Sequence, residues 1–312
     1  YRIADQLVEI LERAGVKRIY GIVGDSLNPI TDALRRKKTI EWIHVRHEEV
    51  AAFAASAEAE LNGNLAVCCG SSGPGNLHLI NGLFEAHRNH APILAIASHI
   101  PQSQIGMEYF QATHPEQLFR ECSAYAELIS EGSQAPRILM SAIQHAWSRR
   151  DVGVVVLPGD IADAPAEMEN LVHLPSYTRE HVVPEHESVS LLARMLDEHR
   201  RVTFFCGAGC AGAEDKVVRL AYRVKAPIAY TWRGKDYFEH DNPLGIGMTG
   251  LLGWGDAYRA MHESDMIVLW GTDFPYFNFI PTKPRIVQID RRGEVLGRRC
   301  RLDLGICGDV SV

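Results

Sequence analysis

Short apolar runs alternate with helical stripes along nearly the whole chain, and that alternation constrains the fold more than any other feature. Ile3, Leu7, Ile10 and Leu11 recur at helical spacing before Gly15, and residues 18–23 then read as a strand. Asn28-Pro29 opens a helix whose apolar face carries Ile30, Ala33 and Leu34. Further strands are expected at 40–45, 65–69, 93–97, 124–129 and 153–157, with helices near 77–87 and 137–147. Strands separated by helices line up parallel through right-handed crossovers, so the fold class is α/β.

The pattern is less regular over residues 105–115 and breaks further on. Residues 161–186 are rich in proline, acidic residues and histidine, and Pro165, Pro175 and Pro184 forbid a long helix, so this stretch reads as a linker. A second α/β unit follows, with a helix marked by Val189, Leu192, Ala193 and Leu196 and strands at 202–206, 227–230, 266–270 and 285–289. The expectation is therefore two doubly wound parallel-sheet domains, residues 1–160 and 187–312. A chain of 312 residues, 46% of them hydrophobic, suffices for two cores. A net charge of −7 without a basic block argues against nucleic acid as a partner. No apolar run reaches the length of a membrane span, and the first residues do not form a signal peptide. Seven cysteines with no C-x-x-C pair fit free thiols in a reducing cytoplasm, and Cys68, Cys69 and Cys206 read as small core residues. The histidines show no zinc-ligand spacing supported by nearby cysteines, and His87 and His90 read as a solvated or core-edge pair.

Chemistry is expected at the corner after residue 45. There an apolar run ends at Arg46-His47, and the pattern changes to Val50, Phe53, Ala54, Ala57 and Leu61, the expected apolar face of a helix. Glu48 thereby stands at the carboxyl end of a parallel strand, where α/β folds bind ligands. The ordinary role of Glu48 or Glu49 is to offset the helix dipole, worth about 0.3–1 kcal/mol. In the second unit, Gly207-x-Gly209-x-x-Gly212 follows a strand and precedes a helix, as a dinucleotide loop requires, but a plain tight turn accounts for the motif equally well.

Three blocks together say more: Gly21 through Asn28 (GIVGDSLN), Arg46 through Ala55 (RHEEVAAFAA) and Gly70 through Asn76 (GSSGPGN). They resemble the amino-terminal domain of thiamin-diphosphate-dependent enzymes, closest within that family to bacterial FAD-dependent pyruvate oxidase, or pyruvate dehydrogenase (quinone). Arg233-Gly234-Lys235, the stretch from Gly247 to Leu251, Gly271 through Tyr276 and Ile289-Asp290 recur in order in that family's FAD-binding central domain. The resemblance implies that Glu48 bonds a pyrimidine nitrogen of thiamin and relays a proton, as a charge-assisted bond to a ring nitrogen permits. It implies that Gly24, Ser71, Pro74 and His78 face the pyrimidine, although an ordinary loop and a backbone-bonded histidine account equally well for Pro74 and His78. Phe110 and Gln111 would face the substrate; Ala112 departs from the family's usual glutamate. FAD would be lined by Gly207, Gly209, Arg233, Thr249, Gly250, Leu251 and Leu252, with Thr272, Asp273, Phe274, Pro275 and Tyr276 beside the flavin and Asp290 at the adenosine.

The family holds the diphosphate and Mg2+ in a carboxyl-terminal domain marked by Gly-Asp-Gly. Gly24-Asp25, Gly159-Asp160, Gly255-Asp256 and Gly308-Asp309 all lack the second glycine, so that domain is expected to be absent from this chain and no metal ligand is assigned within it. By resemblance the complete protein oxidatively decarboxylates pyruvate or a similar 2-oxo acid and passes electrons to FAD, then to quinone or oxygen. The alternatives are acetolactate synthase-type carboligation with non-redox FAD, and a non-catalytic FAD-binding or assembly module. A homo-oligomer is expected, cytoplasmic, with any peripheral membrane contact made through the missing region.

Overall fold

The computed structural model describes residues 1–166, 180–253 and 255–312. The chain divides at Glu180 into two compact units, each built on a fully parallel six-stranded sheet.

In the first unit the order is α1 (Ile3–Arg13), β1 (Arg18–Gly21), α2 (Asn28–Lys37), β2 (Glu41–His44), α3 (Glu48–Asn62), β3 (Ala66–Gly70), α4 (Pro74–Asn89) and β4 (Ile93–His99). A short α5 (Pro115–Leu118), β5 (Tyr125–Leu128), α6 (Ala135–Arg149), β6 (Val152–Pro158) and α7 (Gly159–Asp163) complete it. The strands lie in the order β2-β1-β3-β4-β6-β5. Helices cover both faces. The side chains of α1, α2, α6 and α7 close one core with Ile19, Val67, Leu94 and Val155, and α3 and α4 close the other with Cys68, Ala95 and Val154. That double cover explains why β4 and β6 are buried at every residue and read as continuous apolar runs rather than alternating ones.

One expectation is overturned here. Helix α3 does not bury Val50, Phe53, Ala54, Ala57 and Leu61: Val50 is 51% exposed, Phe53 38% and Leu61 85%, while Ala51, Ala52, Ala55, Ser56 and Ala59 face inward. The reason is the neighbour. At Gly82 of α4 a Cβ would lie 2.5 Å from Ala52 Cβ and 2.9 Å from Phe53 N, so the helices touch nearly backbone to backbone and only small residues fit between them.

The second unit runs α8 (His186–Glu198), β7 (Val202–Cys206), α9 (Glu214–Val224), β8 (Ile228–Tyr230), a short α10 (Lys235–Phe238) and β9 (Gly245–Met248). It ends with α11 (Gly255–Glu263), β10 (Met266–Trp270), β11 (Arg285–Asp290) and β12 (Leu304–Cys307). The order is β12-β11-β10-β7-β8-β9, with α8 and α9 on one face and α11 on the other. The short, glycine-bearing β9 and β12 lack the apolar run of the central strands and were not anticipated.

The stretch expected as a linker is structured at both ends. Ile161 and Ala162 are buried in the first core, and Pro165 bridges to Arg2, so the expected break at residue 160 falls inside α7. At the far end Val182 N–H donates to Asp309 Oδ2 at 2.8 Å, and Asp309 N–H donates back to Val182 O. Pro175 lies outside the described residues. Among the described residues, no helix is long and apolar enough to cross a membrane.

Candidate active site

Because β2 pairs on one side of β1 and β3 on the other, successive connections diverge between β1 and β3, and a crevice opens at the carboxyl ends of those strands. Gly24, in the loop after β1, meets Ser71, in the loop after β3, so closely that a Cβ at Gly24 would sit 2.7 Å from Ser71 Cβ. Buried and partly buried polar bonds lock the two loops together. Ser72 N–H donates to Ser26 Oγ (3.0 Å), Ser98 Oγ to Ser26 O (2.6 Å), and Asn76 Nδ2 to Ser98 O (2.7 Å). Gly73 holds a left-handed φ of +69° and lets Pro74 begin α4 with its fixed φ.

Glu48 is the first residue of α3. Its cap is His47, in extended backbone, whose Nδ1 accepts from Glu49 N–H at 3.2 Å. The two glutamates part company. Glu49 takes the surface role, accepting from Asn81 Nδ2, whereas the Glu48 side chain is only 8% exposed and its Oε2 lies 3.0 Å from His78 Nδ1 on α4. A carboxylate that served only the helix dipole would gain nothing from burial, which costs several kcal/mol for an ion without partners. The half-exposed His78 ring stacks on His47 with centroids 4.2 Å apart. Glu48 Oε1 points to the α4 start, 3.2 Å from where a Cβ on Gly75 would lie; the same Cβ would be 2.7 Å from Ser71 Oγ. Glu48, Ser71, Gly24 and His78 are thus brought to one edge, and Pro74 lies exposed beside them.

Gln111 joins this edge, accepting from Ser72 Oγ at 3.2 Å, with its backbone 3.1 Å from a Cβ on Gly73. Phe110 is 83% exposed, its ring 4.7 Å from that of Tyr109. Sequence reasoning missed His47, Ser26, Asn76 and Ser98; the two polar residues ending the apolar run of β4, Ser98 and His99, were the available signal. His99 is buried, and burial pushes its pKa down. A separate depression of about 380 Å³ lined by Arg2, Asp25, Asp32, Asp160 and Asp163 contains none of the Glu48 cluster.

In the second unit the connections diverge between β7 and β10, and the loops after these strands meet. A Cβ on Gly207 would be 2.6 Å from Gly271 O, and one on Gly209 would be 2.7 Å from Gly271 Cα. Gly209 N–H donates to Gly271 O (2.9 Å). The glycines are therefore required by loop-against-loop packing, before any ligand is considered. Thr272 is buried, Arg233 lies in the turn after β8, and Asp273 accepts from Arg299 Nε (3.0 Å) and Arg298 Nη1 (3.1 Å). The Phe274 ring is 6% exposed and packs edge-on against Phe205 at 4.9 Å, inside the core. Leu251, Leu252 and Tyr276 are exposed, Pro275 likewise, and Gly250 holds φ +105° against Phe274. Two features fit a dinucleotide. Thr249 is 5% exposed and its Oγ1 has no partner among the described residues. A buried hydroxyl left so costs about 1–3 kcal/mol, which a ligand acceptor or donor would recover. Asp290, buried at the carboxyl end of β11, has its carboxyl pushed up by desolvation, though Arg292 N–H (2.9 Å) opposes this.

Comparison with known proteins agrees with both units. Residues 1–118 match the thiamine pyrophosphate enzyme N-terminal TPP binding domain, and residues 189–312 match the central domain of the same enzymes. Over 311 residues, 99% of the chain, it is 56% identical to an uncharacterized 42.6 kDa protein in the isoamylase 3′ region of Pseudomonas amyloderamosa, covering 78% of that protein. It is 29% identical to pyruvate oxidase of Lactiplantibacillus plantarum over 98% of the chain and 52% of the enzyme. To the chloroplastic acetolactate synthase of Arabidopsis thaliana it is 30% identical over 99% of the chain and 48% of the enzyme. The chain thus spans about half the length of these two enzymes. It belongs to the thiamine pyrophosphate enzyme family, of which it carries the N-terminal and central domains.

Proposed function

We propose that the complete protein decarboxylates pyruvate or a similar 2-oxo acid with thiamin diphosphate and delivers two electrons to FAD, and then to quinone or oxygen. The observation that carries the reading is the buried Glu48 carboxylate, set at the sheet's switch point with one oxygen toward His78 and the other toward the α4 start. When bound, thiamin diphosphate supplies a nucleophilic carbon and FAD a two-electron sink. The chain's own part is to hold and position. Glu48 holds or passes a proton at its carboxylate, Gly24, Ser71 and Pro74 wall the ring, His78 orients Glu48, and Phe110 and Gln111 border the substrate. In the central domain, Gly207, Gly209, Arg233, Thr249 to Leu252, and Thr272 to Tyr276 line FAD, Phe274 from within the core, and Asp290 takes a ribose hydroxyl. By the family's pattern, Mg2+ and the diphosphate would be held by a carboxyl-terminal domain rather than by these residues.

The exposed stripe of Val50, Phe53 and Leu61 on the helix that carries Glu48 supports a homo-oligomer in which a second subunit covers that face. We place the enzyme in the cytoplasm, with any peripheral membrane contact made through that carboxyl-terminal domain. Because identity to acetolactate synthase, 30%, is as high as that to pyruvate oxidase, 29%, carboligation with FAD held but not reduced is the competing reading. Anaerobic titration of the full-length protein with pyruvate separates them. Bleaching of the flavin, abolished by Glu48→Gln, supports the oxidase; flavin that stays oxidised through many turnovers refutes it.

A further inference from the structure

We propose that His47, Glu48 and His78 bind a divalent ion of the zinc class, and that such an ion shuts off the Glu48 carboxylate. Binding itself follows from the geometry alone; only its inhibitory consequence rests on the function proposed above.

One ligand atom from each of the three side chains lies within 4.8 Å of the others. An ion with bonds of about 2.0–2.1 Å spaces its tetrahedral donors roughly 3.3 Å apart. Glu48 Oε2 and His78 Nδ1, at 3.0 Å, already stand at that separation. The third donor has to close by about 1.5 Å at most, on the same bond lengths. His47 can supply that movement, because its ring is 46% exposed and is held by one bond of 3.2 Å, at the long end of the useful range. The stack on His78 already lays the two imidazoles side by side.

Two imidazoles and one carboxylate are a donor set for zinc-class ions; Mg2+ and Ca2+ favour oxygen-only shells. Burial is graded in a useful way: the carboxylate is nearly enclosed and both histidines are half exposed, so protein ligands occupy one side of the ion and water or a small anion the other. The positions are fixed by the backbone, with His47 and Glu48 at adjacent residues of the α3 start and His78 one turn into α4, across the Gly82 contact that holds the helices together. An ion here takes a lone pair of Glu48 Oε2 and holds the carboxylate in its ionised form, so Glu48 can no longer take up a proton to pass on.

The test is titration of the 312-residue chain with Co2+, read by visible d–d absorption, followed by displacement with Zn2+. We expect saturation at one ion per chain and loss of the signal on adding Zn2+. His47→Asn, which keeps a capping side chain, His78→Gln, which keeps a hydrogen bond to Glu48, and Glu48→Gln should each weaken Co2+ binding at least about tenfold without changing the melting temperature. His87→Ala, at the separate pair with Asp151, should leave Co2+ binding unchanged. Binding that is unsaturable, that survives all three substitutions, or that disappears in His87→Ala overturns the proposal. The full-length protein separates site from consequence. Co2+ binding combined with thiamin-dependent turnover that Glu48→Gln leaves intact keeps the metal site and sinks the functional reading. Absence of Co2+ binding sinks the metal site alone.

Discussion

Gly82→Ala is the sharpest test of how the active edge is built. In an open helix interior, alanine would be better than glycine by about 0.8–1 kcal/mol. Here the new Cβ would meet Ala52 Cβ at 2.5 Å, Phe53 N at 2.9 Å and Glu49 O at 3.0 Å. Two of those three atoms are backbone, and neither can rotate away. Carbon atoms pack at about 3.5–4.0 Å, so α3 and α4 must separate by roughly 1 Å, an overpacking that costs about 1–3 kcal/mol. With backbone atoms in the way the upper part of that range applies, and the net is a destabilisation of about 1–2 kcal/mol. For a domain of this size that is a fall in Tm of about 2–8 °C, measured by calorimetry on the chain. The same separation would stretch the 3.0 Å contact between His78 and Glu48 to about 4 Å, beyond hydrogen-bond range, which a crystal structure of the variant would reveal. A Tm at or above that of the parent chain would refute the close contact and, with it, the explanation of why α3 buries alanines.

Thr249→Val should act with opposite signs on two measurements: it removes a buried hydroxyl that has no partner among the described residues, raising the melting temperature of the flavin-free chain by a few degrees, and it weakens FAD uptake followed by absorbance; a loss of stability would show that the hydroxyl has a protein partner. Native chain treated with a thiol reagent at neutral pH should show one fast site, the exposed Cys307, and a slower one at Cys300. Cys68, Cys69, Cys122, Cys206 and Cys210 should react only on unfolding, since all are buried and burial pushes Cys68 and Cys122 up to about 12; more than two reactive thiols in the folded chain would contradict the cores described. Asp5 concerns acid stability. Desolvation raises its carboxyl, but Arg2 N–H (2.9 Å) and the Arg36 guanidinium (2.5 Å) outweigh this and hold it below the ordinary carboxylate value. The unfolded chain therefore takes the proton first as pH falls, so the stability from Asp5 is complete above about pH 4 and lost below it. Asp5→Asn should lower stability at pH 7 and flatten its decline in acid, as denaturant midpoints would show; an unchanged decline would exclude Asp5 as a contributor.

The division between what was legible and what was not follows from the range of each interaction. Strand runs such as Val152–Pro158 and the helical stripe of α1 are visible in sequence because periodicity is a local property, and alternating elements leave little choice but parallel sheets. The corner at Glu48 was legible for the same reason. Hydrophobicity could not choose the buried face of α3. Its larger residues, Val50, Phe53 and Leu61, make the stronger apolar pattern, yet a glycine about thirty residues further on lets a second helix approach so closely that only small residues fit beneath it. Nor could spacing show that Glu48 rather than Glu49 turns inward, or that His47 stacks on His78. Those arrangements depend on α4 crossing α3, a contact between segments distant in sequence, and only the tertiary structure supplies it.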